Sequence, residues 1–310
     1  LARSVAAKLA EIGLSAVIGP ELEFYVLEPD PTCDRGWKRY ADEPGNVYVV
    51  GRKGDPRGIA LSMLRHMRDA HLQVTAANHE FSAGQFEINL NHSELVDAAD
   101  RAFRMKSAVQ EIARHEGMLA TFMAKPFNDE GGSGFHLHVS LVDESGENVF
   151  GDPDGTDGLS VRGRQAIAGV LKHAAGLAAL LNPTINSYKR FGPDTLAPWL
   201  IDWGLDNRSA MVRIPPERGG AARMEVRLGD ATANPYIAMA AIGAAIYLGI
   251  RDGLEPPAPL EGYGYVWVEA TPGHPGTLKG KLIAQTRAKY RLVLENVDGK
   301  ARGVSYRVSR

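Results

Sequence analysis

Phe135-His136-Leu137-His138-Val139-Ser140 alternates apolar and polar side chains with a period of two. In a β-strand residues i, i+2 and i+4 share one face, so Phe135, Leu137 and Val139 point one way and His136, His138 and Ser140 the other. The same alternation recurs in Glu21-Leu22-Glu23-Phe24, Gly84-Gln85-Phe86-Glu87-Ile88-Asn89 and Arg223-Met224-Glu225-Val226-Arg227. Joined in one sheet, these strands would send their apolar side chains into a core and leave Glu21, Glu23, Glu87, His136 and Glu225 on the opposite face. Such a face repels itself unless it is paired or holds metal, and carboxylates with one or two imidazoles suit Mg²⁺ or Mn²⁺. The pattern predicts a multi-metal site on a sheet, in a chain whose size allows one large α+β domain.

The chain has 310 residues, 44% of them hydrophobic, enough to bury one large core or two modest ones. Its formal charge of -2 gives no basic excess for nucleic acid, and Arg35-Gly36-Trp37-Lys38-Arg39 reads as solvated loop charge. Cys33 is the single cysteine, which excludes an intramolecular disulfide and fits a reducing, cytoplasmic setting. The longest apolar run, Ile237 to Ile250, is shorter than the roughly 18 to 20 residues that cross a bilayer, so no membrane partner is expected. The chain begins Leu1-Ala2-Arg3 and lacks signal-peptide features over Ser4 to Leu14, which reads as a piece of a longer protein.

Strands separated by long helical patterns follow. Ser4 to Ile12 reads as a helix and Ala16 to Glu28 as a strand; Pro29 to Pro56 is an excursion with Val47 to Val50 as its strand. Arg57 to Leu72 has helical spacing, and Gln73 to Ala77 begins a strand. Glu80 and Glu87 lie an odd number of residues apart, so a bend at Ser82-Ala83-Gly84 is needed to bring both to one cavity. Ser93 is expected to cap a helix reaching His115, with Glu94 and Asp97 in its first turn. Met118 to Met123 and His136 to Val142 read as strands, Ser160 to Leu181 as a helix, and Pro235 opens an apolar helix through Ile250.

Taken singly, these motifs have ordinary readings. A lone His136 or His138 is a hydrogen-bonded structural histidine, Gly131 to Gly134 a loop, and Arg208 or Arg213 a surface ion-pair partner worth ~0 to 1 kcal/mol. Their order reverses that reading. Thr121 to Pro126 followed by Gly132 to Ser140, then Asn182 to Arg190, Asn207-Arg208-Ser209-Ala210 with Arg213-Ile214-Pro215, Arg223 to Arg227, and Ala233-Asn234-Pro235-Tyr236 together resemble the catalytic domain of the glutamine synthetase family over roughly residues 15 to 255.

The resemblance implies a curved, largely antiparallel sheet with helices packed on its outer face. It also implies ATP-dependent condensation of glutamate with ammonia or a primary amine, with two or more Mg²⁺ or Mn²⁺ per site. Glu23, Glu80 and Glu87 would then hold the metal nearer glutamate and the amine, and Glu21, His136 and Glu225 the metal at the ATP phosphates. Arg190 would grip the α-carboxylate of glutamate with the backbone around Gly132, while Arg227 would meet the γ-carboxylate. Arg208, Arg213 and Arg223 would lie along the phosphates, with His138 and Ser140 on the nucleotide side; Arg208, Arg227 and Glu23 would be the catalytic residues.

The sequence also departs from the family. Where enzymes that use ammonia place a Glu before Ala-Pro, Leu196 precedes Ala197-Pro198, and the Asn that commonly precedes Gly-Ser-Gly is Gly131. Lys125-Pro126-Phe127 and Phe135 to Phe150 look closer to the branch that joins glutamate to polyamines or ethanolamine. A larger amine than ammonia is therefore expected. Residues 1–255 read as the catalytic domain and 256–310 as a divergent tail with a helical pattern from Leu278 to Leu294; the family's N-terminal β-rich domain is not seen. With that domain, family members form homo-oligomeric rings. Two other classes fit parts of the pattern: an ATP phosphotransferase on another acceptor, and a catalytically inactive structural or regulatory relative.

Overall fold

The computed structural model describes residues 1–41, 47–48, 51–192, 195–261, 268–270 and 278–280. In chain order its strands are β1 (Ser15–Pro29), β2 (Trp37–Arg39), β3 (Val74–His79), β4 (Gln85–Leu90), β5 (Ser93–Glu94), β6 (Leu119–Thr121), β7 (Phe135–Val142), β8 (Trp203–Leu205), β9 (Val212–Ile214), β10 (Met224–Val226), β11 (Val268–Ala270) and β12 (Leu278–Gly280). Its α-helices are α1 (Ala2–Ala10), α2 (Ile59–Asp69), α3 (Leu95–His115), α4 (Val161–Lys172), α5 (Ala174–Leu181) and α6 (Pro235–Arg251). The main sheet runs β3-β4-β1-β7-β10-β9-β8, antiparallel except for β8 beside β9, and the short β2, β5 and β6 also pair with β1. Strands β11 and β12 form a separate antiparallel pair.

The period-two pattern sorts side chains as expected. Leu22 and Phe24 of β1, Phe86 and Ile88 of β4, Leu137 and Val139 of β7, and Met224 and Val226 of β10 are buried in one hydrophobic cluster with side chains from the helices. Burying a side chain of this size stabilises the fold by roughly 1.5–3 kcal/mol. Helices α1 and α3 pack against β1, and α6 packs against α1, α3, α4 and α5. Asn234 starts α6, its Oδ1 accepting from the N–H groups of Tyr236 and Ile237, with Pro235 next in line. Just past residue 255 the chain is tied to β8: the Trp203 indole donates to the Pro257 carbonyl (2.7 Å), and the Leu260 N–H donates to the Trp203 carbonyl (2.7 Å).

Several expectations need correction. Ser93 does not cap α3: it pairs with Ile18 as part of β5, and the helix begins after Glu94, whose side chain makes no capping bond. The helix expected over Ser160 to Leu181 is two, because His173 leaves the helical region (φ -99, ψ 8) between α4 and α5; Ser160 does cap α4, accepting from the Gly163 N–H. Strand pairing in the excursion after Pro29 belongs to Trp37–Arg39, while Val47 and Tyr48 lie in a turn and Val49 and Val50 fall outside the described residues. The helical pattern from Leu278 begins with a strand at Leu278–Gly280, and its remainder to Leu294 lies outside the described residues. Among the described residues no helix is long and apolar enough to cross a membrane.

Candidate active site

Strand register gathers the charges onto one face. Glu21 lies opposite His136 across β1 and β7, Glu23 opposite Glu87 across β1 and β4, and Glu225 opposite His138 on β7 and Arg213 on β9. Directly opposed residues have Cβ atoms roughly 4.5–5.5 Å apart, so Glu23 and Glu87 are like charges held side by side. Glu80 joins them through the bend expected after β3. There the Glu80 N–H donates to the Gln85 carbonyl (2.9 Å), and Gly84 turns the chain at φ +71, where a Cβ would come within 2.6 Å of the Tyr40 carbonyl oxygen.

The result is a cavity of about 600 Å³ lined by Glu21, Glu23, Glu80, Glu87, His136 and Glu225 together with Arg190, Arg208, Arg213, Arg227 and Gly132. His138, Ser140 and Arg223 are not part of that lining. The Arg223 Nε donates to His138 Nδ1 (3.1 Å), which leaves the proton of a neutral ring on Nε2, 3.0 Å from Glu21 Oε1; the Ser140 hydroxyl donates to the Ala222 carbonyl. His136 is central: its Nδ1 is 3.6 Å from Glu21 and 3.7 Å from Glu225, and its Nε2 is 3.9 Å from Glu23. Ligand-type atoms of Glu21, His138 and Glu225 converge within 4.8 Å, as do those of Glu21, Glu87 and His136. These two groups share Glu21 and so cut across the two triads expected from the sequence.

The carboxylates divide by environment. Burial, then the charges of Glu23 and Glu87, push Glu80 up to about 8, and burial with Glu21 and Glu23 pushes Glu87 up to about 7. Burial would also raise Glu225, but Arg227, His136 and His138 outweigh it and bring the group to about 2. Glu21 is held well below the ordinary carboxylate range by His136 and His138, against strong burial. Arg213 binds Glu225 at 2.7 Å and Asp206 at 2.7 Å, and Arg227 binds the other Glu225 oxygen. Carboxyl groups whose ionisation is opposed by burial and by one another, in a cavity walled by oxygen donors and imidazole, are a chemical match for hard divalent cations.

Backbone without side chains makes room for this crowding. A Cβ on Gly134 would lie 2.7 Å from His136 Nε2 and 3.0 Å from Glu23 Oε1, and its N–H donates to Glu23 at 2.8 Å. A Cβ on Gly132 would meet the Arg190 stem at 2.6 Å. Leu196 also lines the cavity, 56% exposed and at φ 62, a conformation strained for a branched side chain.

Three orienting residues carried no assignment from the sequence. Gln85 Nε2 donates to Glu23 (3.2 Å) and to the Gly132 carbonyl (3.0 Å), Asn89 to Glu21 (2.8 Å), and Asn78 to Glu87 (3.1 Å). Gln85 and Asn89 had a visible signal, since both fall in phase with Glu87. Asn78 had none, because its partner is set by the β3–β4 register.

Residues 1–282 match the family model described as "Glutamine synthetase, catalytic domain". The chain is 38% identical over 254 residues to the glutamine synthetase of Halobacterium salinarum, covering 82% of this chain and 56% of that protein. To the glutamine synthetase of Pyrococcus abyssi it is 39% identical over 259 residues, covering 84% and 57%. A solved structure described as "GmaS/ADP complex-Conformation 1" superposes with a TM-score of 0.76 at 35% identity, covering 84% of this chain and 60% of that one. The chain thus spans somewhat more than half the length of the relatives it matches. It belongs to the glutamine synthetase family, by way of that family's catalytic domain.

Proposed function

We propose that this cavity serves ATP-dependent ligation of glutamate to ammonia or a primary amine through γ-glutamyl phosphate, with an amine larger than ammonia preferred. The observation that carries the reading is the meeting of six metal-ligand candidates with four arginines in one cavity. Phosphoryl transfer between anions needs positioning and charge neutralisation above all. Glu23, Glu80 and Glu87 would hold one divalent ion toward glutamate and the amine, and Glu21, His136 and Glu225 another toward the nucleotide. Such ions, when bound, neutralise charge on the phosphates and on the attacking carboxylate.

The protein's own groups do the rest in this reading. Arg190 and the Gly132 backbone orient the α-carboxylate, and Arg227 aligns the γ-carboxylate. Arg208 and Arg213 stabilise the phosphate oxygens, and Arg223, His138 and Ser140, beside the cavity and outside its lining, support the nucleotide side. The γ-carboxylate oxygen bonds to the terminal phosphorus of ATP as the bond to ADP breaks. The amine nitrogen then bonds to the γ-carbon, inorganic phosphate leaves and the amine loses a proton. The likeness to an ADP-containing GmaS structure supports the nucleotide assignment.

Amine size rests on Leu196, whose apolar side chain supplies no charge to attract or deprotonate ammonium. Incubation with ATP, Mg²⁺ and glutamate, adding ammonium, ethanolamine or putrescine in turn, tests this by product mass. A γ-glutamyl adduct of ethanolamine or putrescine formed faster than glutamine is the expected result. Glutamine as the fastest product would keep the ligase and overturn the size preference.

A further inference from the structure

A buried charge group behind the cavity is left unused by these roles. Asp230, in the turn between β10 and α6, is wholly buried; its Oδ1 accepts from the Thr232 N–H (2.7 Å) and the Thr232 hydroxyl, and its Oδ2 has no hydrogen-bond partner. Lys106 reaches in from α3, its ammonium donating to the carbonyls of Ala231 (2.7 Å) and Ala233 (3.1 Å) and lying 5.5 Å from the centre of the Phe122 ring. The same turn touches the site at several points. The Gly229 carbonyl accepts from Arg190 Nη1 (3.1 Å) and the Phe135 N–H (3.0 Å), Asp230 bridges Gly134, and the Ala231 N–H donates to the Ser133 carbonyl (3.1 Å).

Arg190 needs such support. The residue is 3% exposed; its guanidinium donates from Nη1 to Asn182 Oδ1 (3.4 Å) and the Gly229 carbonyl, while its Nε donates to nothing. Among the described residues no carboxylate forms an ion pair with it, whereas Arg227, the other buried cation of the cavity, is paired with Glu225. A cation so enclosed is tolerated only where a counter-charge offsets its desolvation.

We propose that Asp230, braced by Lys106, is the buried counter-ion that positions Arg190 for a carboxylate ligand. This rests on the assignment of Arg190 to glutamate made above. Asp230 directly follows Gly229, whose carbonyl Arg190 Nη1 holds at 3.1 Å, so its carboxylate sits on the turn that seats the guanidinium; against burial, Asp230 and Glu23 favour the charged form of Arg190, and Arg227 opposes them. Lys106 has a double part: it balances Asp230 and ties down the carbonyls of the turn that carries it. Neither residue lines the cavity, so both are positioning residues and not catalytic ones.

The test is Asp230→Asn, which keeps the shape and the Oδ1 acceptor but removes the charge. Steady-state kinetics and equilibrium dialysis with labelled glutamate should show KM and Kd for glutamate raised about tenfold, with KM for ATP within about twofold of wild type. A purely structural role would instead lower Tm and kcat and leave both KM values unmoved, and that outcome overturns the inference while the ligase reading stands. Should Asp230→Asn fail to fold, Thr232→Val, which removes only the hydroxyl that fixes Oδ1, should raise the glutamate KM about threefold; an unchanged KM there also overturns it. Lys106→Met should reproduce the glutamate defect and Lys106→Arg restore it. A wild-type protein that binds no glutamate would overturn the reading underneath and this inference with it.

Discussion

At Gly134 one methyl group decides whether the site can form. The backbone there passes so close to His136 and Glu23 that a Cβ must displace one of them, although the position makes no demand for a left-handed backbone. Gly134→Ala should therefore leave the fold in place and weaken Mn²⁺ binding by about tenfold or more in calorimetric titration, the scale seen when support for metal ligands is lost. Wild-type affinity in that variant would mean the two ligands sit elsewhere. The carboxylates make a second prediction. Glu80 and Glu87, raised to about 8 and about 7 from an ordinary 4.5, bind more protons folded than unfolded across that interval. Stability of the chelated protein should thus fall as pH rises from about 5 to 8, the opposite of the usual carboxylate effect. Glu21 and Glu225 are depressed, so their contribution is complete above their unfolded range and does not change in this window. Thermal melts in EDTA at pH 5.5 and 8.5 should show the lower Tm at the higher pH, with Mg²⁺ or Mn²⁺ recovering most at high pH; a flat profile in EDTA would contradict the crowding.

Helices and strands separate two residues that look alike in sequence. Asn234 caps α6 with bonds to two N–H groups, so Asn234→Ala should cost about 1 kcal/mol in denaturant unfolding. Ser93 reads equally well as a cap, yet its hydroxyl has no partner, and Ser93→Ala should change stability by less than about 0.5 kcal/mol. The contrast shows where local pattern stops being informative. Alternation in β1, β4, β7 and β10 was legible because a strand's faces follow from its own residues, and the helix starts near Ser160 and Pro235 because such start signals are local, as the bonds from Ser160 and Asn234 to N–H groups within three positions show. Ser93 misleads because pairing with Ile18, far off in the chain, claims it for the sheet. Likewise His173 breaks a helix within a run of good helix formers, and Asn78 meets Glu87 only through register. That the charged residues of these strands would share one face was thus legible from alternation and from the order of the motifs, whereas what orients them and shifts their charges was not.

On the scale of the whole molecule, the site exists only where the strands meet. Carboxylates from β1, β4 and β10, a histidine from β7 and arginines from β9 and the loops between strands converge on one cavity, while the other faces of those strands hold the core with α1, α3 and α6 behind. An arrangement in which the same strands supply both stability and chemistry predicts that losing a ligand spares the fold: Glu23→Ala or Glu225→Ala should keep the secondary structure while abolishing ATP turnover, as read by circular dichroism and phosphate release. The most direct trial of the account is phosphate release from ATP by the protein carrying this chain, with Mg²⁺ present and glutamate and amine supplied separately and together. Release that requires both glutamate and an amine, and that disappears in Glu225→Ala, is the predicted result; no release under any combination, despite measurable Mn²⁺ and ATP binding, would contradict it.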